Sequence, residues 1–219
     1  SKTVEQDIRT GGETGFDSVT DSDASWSGKA MEFPRIQGAD CCGYVVAVGS
    51  GVDVSRIGER VLVRNMLRSY VDYRPYECWT FGSECDGGFA QFAVAPARET
   101  HKVVCDWSDV ELASIPCAYS TAENMLHRVD LGAETVLVTG ASGGVGSAAV
   151  QLAKRRGARV IALCSSSKAD EVRALGADEI VDRSADLVAA RGAGSVDVVV
   201  DLVGGEQFPA FLELLRRGG

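Results

Sequence analysis

Glu134-Thr-Val-Leu-Val-Thr-Gly-Ala-Ser-Gly-Gly-Val-Gly-Ser-Ala-Ala-Val-Gln-Leu-Ala-Lys154 decides how this chain folds. Its first part, Val136 to Thr139, is a β-branched apolar run and reads as a buried strand. Four glycines in seven residues follow, at 140, 143, 144 and 146. Then Val145, Ala148, Ala149, Leu152 and Ala153 recur at helical spacing, and Arg155-Arg156-Gly157 marks a helix end. Strand, tight glycine turn and helix N-terminus together hold a pyrophosphate: glycine lets the backbone approach, and unpaired N–H groups with the helix dipole attract negative charge. The backbone of Gly140, Ala141, Ser142, Gly143, Gly144, Val145 and Gly146 is the expected grip.

The strict G-x-G-x-x-G is not met, because Ala141 stands at the first glycine position. Alone, such a loop is any tight strand-to-helix turn. The second strand, Ala158 to Cys164, completes a βαβ unit of the length a dinucleotide fold needs. An NAD enzyme places a carboxylate at the tip of that strand. Here the tip reads Leu163-Cys-Ser-Ser-Ser-Lys168, with no acid before Asp170. Hydroxyls and a lysine suit a 2′-phosphate, so Ser165, Ser166 and Lys168 predict NADP(H). A helix N-cap by Ser166 or Ser167 is an alternative compatible with that role.

Length allows two domains in 219 residues, and 45% hydrophobic with 24% charged content is globular. A net charge of −9 argues against nucleic acid and anionic membranes as partners. No apolar run reaches the ~18 residues of a membrane span and no signal pattern opens the chain, so a cytoplasmic protein is expected. The seven cysteines form no C-x-x-C and read as reduced thiols, Cys42 and Cys164 as small core residues.

Residues 1 to about 32 are polar and aperiodic. From Phe33 onward, short β-rich runs (Tyr44–Val48, Arg60–Val63, Phe89–Val94) between glycines predict a small irregular β domain. A helical pattern spans Asp109 to Val129. Beyond it, strands at 135–139, 158–164, 179–181 and 196–202 alternate with helices near 144–156, 168–175, 184–191 and 206–216. The expected fold is α/β: a doubly wound parallel sheet of Rossmann type in residues 119–219, preceded by a β-rich domain in residues 1–118. Six strands are usual and four are present, the last an apolar run left as a bare edge, which predicts truncation at the C-terminus, and the aperiodic first thirty residues predict the same at the N-terminus.

Three blocks resemble the medium-chain dehydrogenase/reductase superfamily, in particular its zinc-free quinone oxidoreductase-like branch. They are Pro34-x-Ile-x-Gly-x-Asp-x-x-Gly-x-Val-x-x-Val-Gly-x-Gly-Val52 with Gly58-Glu-Arg-Val61, then Ile115 to Leu126, and then Val136 to Gly146 with Leu175-Gly-Ala-Asp178 and Asp201-Leu-Val-Gly-Gly205. The resemblance implies a GroES-like substrate domain, a Rossmann cofactor domain, a cleft between them, and a homodimer in the full-length protein. It assigns Val203 to the cofactor and brings Thr121, in Tyr119-Ser-Thr-Ala, toward the nicotinamide. Backbone bonding within its own helix is the competing role for Thr121. Asp40 could orient water or substrate, or simply shape a turn.

Zinc-dependent relatives bind metal through a Cys, a Gly-His-Glu and a later Cys. Here Gly38-Ala39-Asp40 stands for the second, the first falls near Val4, and only Cys117 matches. One thiolate cannot hold a tetrahedral zinc, so no metal is expected. The branch's N-terminal Tyr is also missing, with Gly15-Phe16 near its place. His101 and His127 read as surface or junction histidines, and the Trp26–Phe33 and Tyr70–Trp79 aromatics as packing.

The expected activity is hydride transfer from NADPH to a small molecule, a quinone or an activated alkene or carbonyl, without zinc. Two alternatives stand beside it: a zinc-type alcohol dehydrogenase with a degenerate metal site, and a non-catalytic NADPH-binding protein. A short-chain dehydrogenase fails, because no Tyr-x-x-x-Lys occurs and the glycine loop comes late.

Overall fold

The computed structural model describes residues 32–72 and 74–219, apart from the side chains of Arg74, Pro75 and Tyr76. The expectations on Val4, Gly15-Phe16 and Trp26 lie outside the described residues. The chain divides into two compact units, Ser1–Pro116 and Cys117–Gly219.

In the first unit β1 (Cys41–Tyr44) pairs antiparallel with β2 (Arg60–Val63). A separate hairpin joins β3 (Met66–Val71) to β4 (Arg74–Thr80), and β5 (Thr100–Lys102) adds to the free side of β2. Val63, Leu67 and Phe81 form the buried centre, with Trp79, Cys41, Cys85 and Ala95 against it. The hairpin escapes the sequence reading because polar residues, among them Arg68 and Arg74, interrupt its alternation. Phe89 to Val94, expected as a strand, is none. The amides of Gly87, Gly88 and Phe89 donate instead to the carbonyls of Ile36, Gly38 and Gln37, and Phe92 and Val94 lie 73% and 92% exposed.

The helical stretch is two helices, α1 (Asp109–Ala113) and α2 (Pro116–Arg128). Ser108 and Glu111 form a reciprocal capping box at the start of α1. The break falls before Pro116, which disfavours helical backbone at the preceding residue yet suits a helix's first turn.

The second unit holds β6 (Thr135–Val138), α3 (Gly144–Arg155), β7 (Arg159–Cys164), α4 (Ala169–Ala174), β8 (Glu179–Asp182), α5 (Leu187–Arg191), β9 (Val198–Val200) and α6 (Phe208–Leu214). Its sheet is parallel throughout, in the order β8-β7-β6-β9. The central strands β6 and β7 alternate between two buried faces. Val136, Val138, Val160, Ala162 and Cys164 meet Ala148, Ala149 and Ala153 of α3 and Ala122 and Leu126 of α2. Leu137, Ile161 and Leu163 meet Leu187, Phe211 and Leu214 on the other side. Burial on both faces is why these strands read as continuous apolar runs. Gly157, at φ +91°, ends α3 in a Schellman motif: its amide donates to Lys154 O and that of Ala158 to Ala153 O.

Strands run outward from β6 to β8, and the chain then returns to the other side of β6 for β9. That reversal is a topological switch point, where open α/β sheets bind ligands beyond the carboxyl ends of their strands. No helix among the described residues is long and apolar enough to cross a membrane.

Candidate cofactor site

The glycine loop runs from the tip of β6 into α3. Gly140 takes φ +57°, and a Cβ there would stand 3.2 Å from Val203 Cγ2, so the loop presses against the segment after β9. Gly146 is buried, and a Cβ on it would reach 2.2 Å from Gly140 O. Only a hydrogen at that position lets α3 approach the loop so closely. Gly144 has ordinary room, its nearest contact being Ala118 Cβ at 3.7 Å.

Gly143 is the N-cap of α3 and offers no side-chain cap. The amides of Gly144, Val145 and Gly146 have no acceptor among the described residues, whereas that of Ser147 donates to Gly143 O. Ser142, Gly143 and Gly144 are exposed. A twelve-residue helix thus begins with unpaired donors and the positive end of its dipole, behind the exposed Ser142, Gly143 and Gly144, as a diphosphate requires. Ala141 is placed differently: its side chain is in the core and its amide donates to Leu163 O, which ties the loop to β7.

At the tip of β7, Ser165 Oγ and Ser167 Oγ lie 3.0 Å apart. Neither Ser166 nor Ser167 caps a helix; Ser165 and Lys168 stand at the two N-cap positions without side-chain capping. Lys168 Nζ is paired with both oxygens of Glu171, at 2.9 and 3.0 Å. Two residues that the sequence reading passed over come to the same tip from β8. Asp182 accepts from the amide and hydroxyl of Ser184 and from Ser166 N, bonds that hold its carboxyl below the usual range. Arg183 donates its amide to Cys164 O at 3.1 Å, and its exposed guanidinium has no ion pair among the described residues. The signal for Arg183 was available: in a doubly wound sheet the third strand lies beside the second, so the tips are neighbours. Burial first, and the Asp182 charge after it, push the Cys164 thiol up.

Thr139 and Asp201 link the tips of β6 and β9. Thr139 is buried, and its hydroxyl donates to Asp201 Oδ1 at 2.6 Å while accepting Leu202 N at 2.8 Å. The Asp201 carboxylate also accepts from the amides of Val203 and Gly204. Val203 itself is 70% exposed.

The two catalytic candidates fall in different units. Thr121 is half-buried on α2, and its hydroxyl makes no hydrogen bond with a described residue. Asp40 is exposed just before β1, on a loop where glycine backbones stack: a Cβ on Gly82 or Gly87 would sit 2.6 or 2.4 Å from Gly38. His101 and His127 are exposed. Among the described residues no group of three or more His, Cys, Asp or Glu could hold a metal ion, and all seven cysteines are free thiols. The Gly38-Ala39-Asp40 segment and Cys117 do not fit a tetrahedral zinc.

Two protein families match this chain: "Alcohol dehydrogenase GroES-like domain" over residues 13–105 and "Zinc-binding dehydrogenase" over residues 144–219. Acryloyl-coenzyme A reductase of Metallosphaera sedula is 31% identical over 86% of the chain and 59% of its own length. The chloroplast envelope quinone oxidoreductase homolog of Arabidopsis thaliana is 35% identical over 86% of the chain and 55% of its own length. Polyketide synthase GfsB of Streptomyces halstedii is 38% identical over 85% of the chain, which is 3% of that protein. A crystal structure of a candidate alcohol dehydrogenase from Sinorhizobium meliloti 1021 superposes with a TM-score of 0.77 at 47% identity, covering 85% of this chain and 53% of that one. The chain therefore spans somewhat more than half of the reductase and of the quinone oxidoreductase homolog, and a small part of the synthase.

Proposed function

The chain belongs to the medium-chain dehydrogenase/reductase superfamily, and from that premise we propose that it is a zinc-independent, NADP(H)-dependent oxidoreductase acting on a quinone or an activated alkene or carbonyl. The observation that carries this reading is the start of α3, capped by no side chain, where the amides of Gly144, Val145 and Gly146 have no acceptor among the described residues, at the switch point of the sheet. When bound, NADPH would supply the hydride. The chain supplies the grip on it.

In this reading residues 119–219 form the cofactor domain and residues 1–118 the substrate domain of a cytoplasmic protein that dimerises at full length. The loop from Gly140 to Gly146 would hold the diphosphate, and Val203 would cover the cofactor from the segment after β9. Ser165, Ser166 and Lys168, joined by Arg183, would receive the 2′-phosphate. Lys168 is engaged by Glu171 while the Arg183 guanidinium has no ion pair among the described residues, so Arg183 offers the stronger claim. Thr121 would donate a hydrogen bond near the nicotinamide, and Asp40 would orient water or substrate. With no suitable metal set among the described residues, a carbonyl would have to be polarised by hydrogen-bond donors. A conjugated substrate is in keeping with the acryloyl-coenzyme A and quinone names of two relatives.

Calorimetric titration of the chain with NADPH and NADH tests the reading. NADPH should bind, and NADH at least ~10-fold more weakly, about 1.4 kcal/mol for the lost phosphate contacts. Equal affinities would remove the 2′-phosphate assignment. NADPH binding without consumption by quinones and enoyl thioesters, in the full-length protein, would favour a non-catalytic binding role.

A further inference from the structure

We propose that Thr139 and Asp201 act as a latch that sets the crevice between β6 and β9, and so position the half of the dinucleotide that lies away from the 2′-phosphate. The inference rests on the dinucleotide reading above.

Thr139 is the residue between the end of β6 and the glycine loop, and its amide donates to Val200 O at 3.0 Å. That backbone bond is the last between the two strands. Beyond it, the connection is made by side chains. The buried Thr139 hydroxyl donates to Asp201 Oδ1 and accepts from Leu202 N, so it is used in both directions. Asp201 then gathers the amides of Val203 and Gly204, bending the segment after β9 toward Gly140. Gly204 and Gly205 take φ of +65° and +86° there, and Val203 comes close enough to Gly140 that a Cβ would crowd it. Burial works against the Asp201 charge, but the Thr139 hydroxyl and the two amides more than offset it and keep the carboxyl below its usual range.

A dinucleotide fold has two mononucleotide halves, and the adenosine ribose belongs at the tip of the second strand, here β7. The other half must then lie across the switch point, beside β9. A loosened latch would therefore disturb binding of the whole dinucleotide while leaving the adenosine half alone. Thr139 and Asp201 are positioning residues in this scheme, acting through the backbone of Val203 and Gly204.

The test compares NADPH with 2′,5′-ADP, which carries the adenosine and its phosphates only, by calorimetry on the whole chain. Thr139→Val keeps the shape and removes the hydroxyl; Asp201→Asn removes the charge and one acceptor. Each should weaken NADPH about ten-fold and 2′,5′-ADP less than about two-fold. Thr139→Ser restores the hydroxyl and should keep both affinities within about two-fold of the native chain. Equal losses for both ligands, no loss for either, or no rescue by serine would overturn the latch. If Thr139→Val does not fold, Asp201→Asn and Thr139→Ser still decide between these outcomes. A native chain that binds neither ligand would overturn the dinucleotide reading itself, and the latch with it.

Discussion

Gly146 and Gly144 are two residues apart in the same loop and carry opposite constraints. A Cβ on Gly146 would lie 2.2 Å from Gly140 O and 2.8 Å from Ala141 Cα, both backbone atoms that cannot swing aside. Gly146→Ala should destabilise the chain by roughly 1–3 kcal/mol through overpacking. Gly144→Ala meets only Ala118 Cβ at 3.7 Å and should stay within ~0.5 kcal/mol. Chemical denaturation of both variants checks the pair. At the tip of β7 the same logic separates two cations. Lys168 is held by Glu171, whereas Arg183 has no ion pair among the described residues. Arg183→Ala should weaken NADPH ~10-fold or more, the scale of a lost charge-assisted hydrogen bond, with NADH within ~2-fold. Lys168→Ala should show the same preference with a smaller loss, because the NADPH contact would have to be won from Glu171. Equal losses of NADPH and NADH in both variants would sink the phosphate subsite.

Strands and helices of the second unit are tied to one another by carboxylates as well as by apolar faces. Asp178, just before β8, accepts Val160 N at 2.7 Å and holds Lys154 Nζ of α3 at 2.9 Å. The amide first, and the lysine next, hold its carboxyl below the usual range. Asp197 likewise accepts Thr135 N and pairs with Arg216, and its carboxyl is lowered with the amide as the leading cause. A carboxyl lowered on folding stabilises the native state above its unfolded pKa, and that contribution disappears as pH falls through the folded value. The melting temperature should therefore be level from neutral pH down to about 5 and drop below about 4, where free carboxylates begin to protonate. Asp178→Asn should flatten part of that acid limb, and an unchanged acid profile would mean the link contributes nothing. At this scale the sequence was read well in the second unit and poorly in the first. Residues 179–182 and 144–155 announce themselves by period, but the β3–β4 hairpin does not, because its pairing is decided by a partner strand and not by alternation.

For the whole molecule, the proposed activity turns on how a carbonyl or alkene would be activated. Zinc chemistry needs three or four ligands at one point, and the described residues offer no such group. Elemental analysis of the purified full-length protein should give far less than one zinc per chain, and NADPH oxidation should survive a chelator. One tightly held zinc, with activity lost on its removal, would overturn the zinc-independent proposal.

The sequence by itself determined the βαβ framework, the glycine loop and the family. Each rests on local rules: apolar period, and glycine where backbone must approach backbone. What only the tertiary structure decided was which groups meet at the strand tips. Lys168 is paired with Glu171, Arg183 arrives from the neighbouring strand, and Thr139 joins Asp201 across 62 positions of chain. Such meetings depend on strand order and register, which bring together residues far apart in sequence.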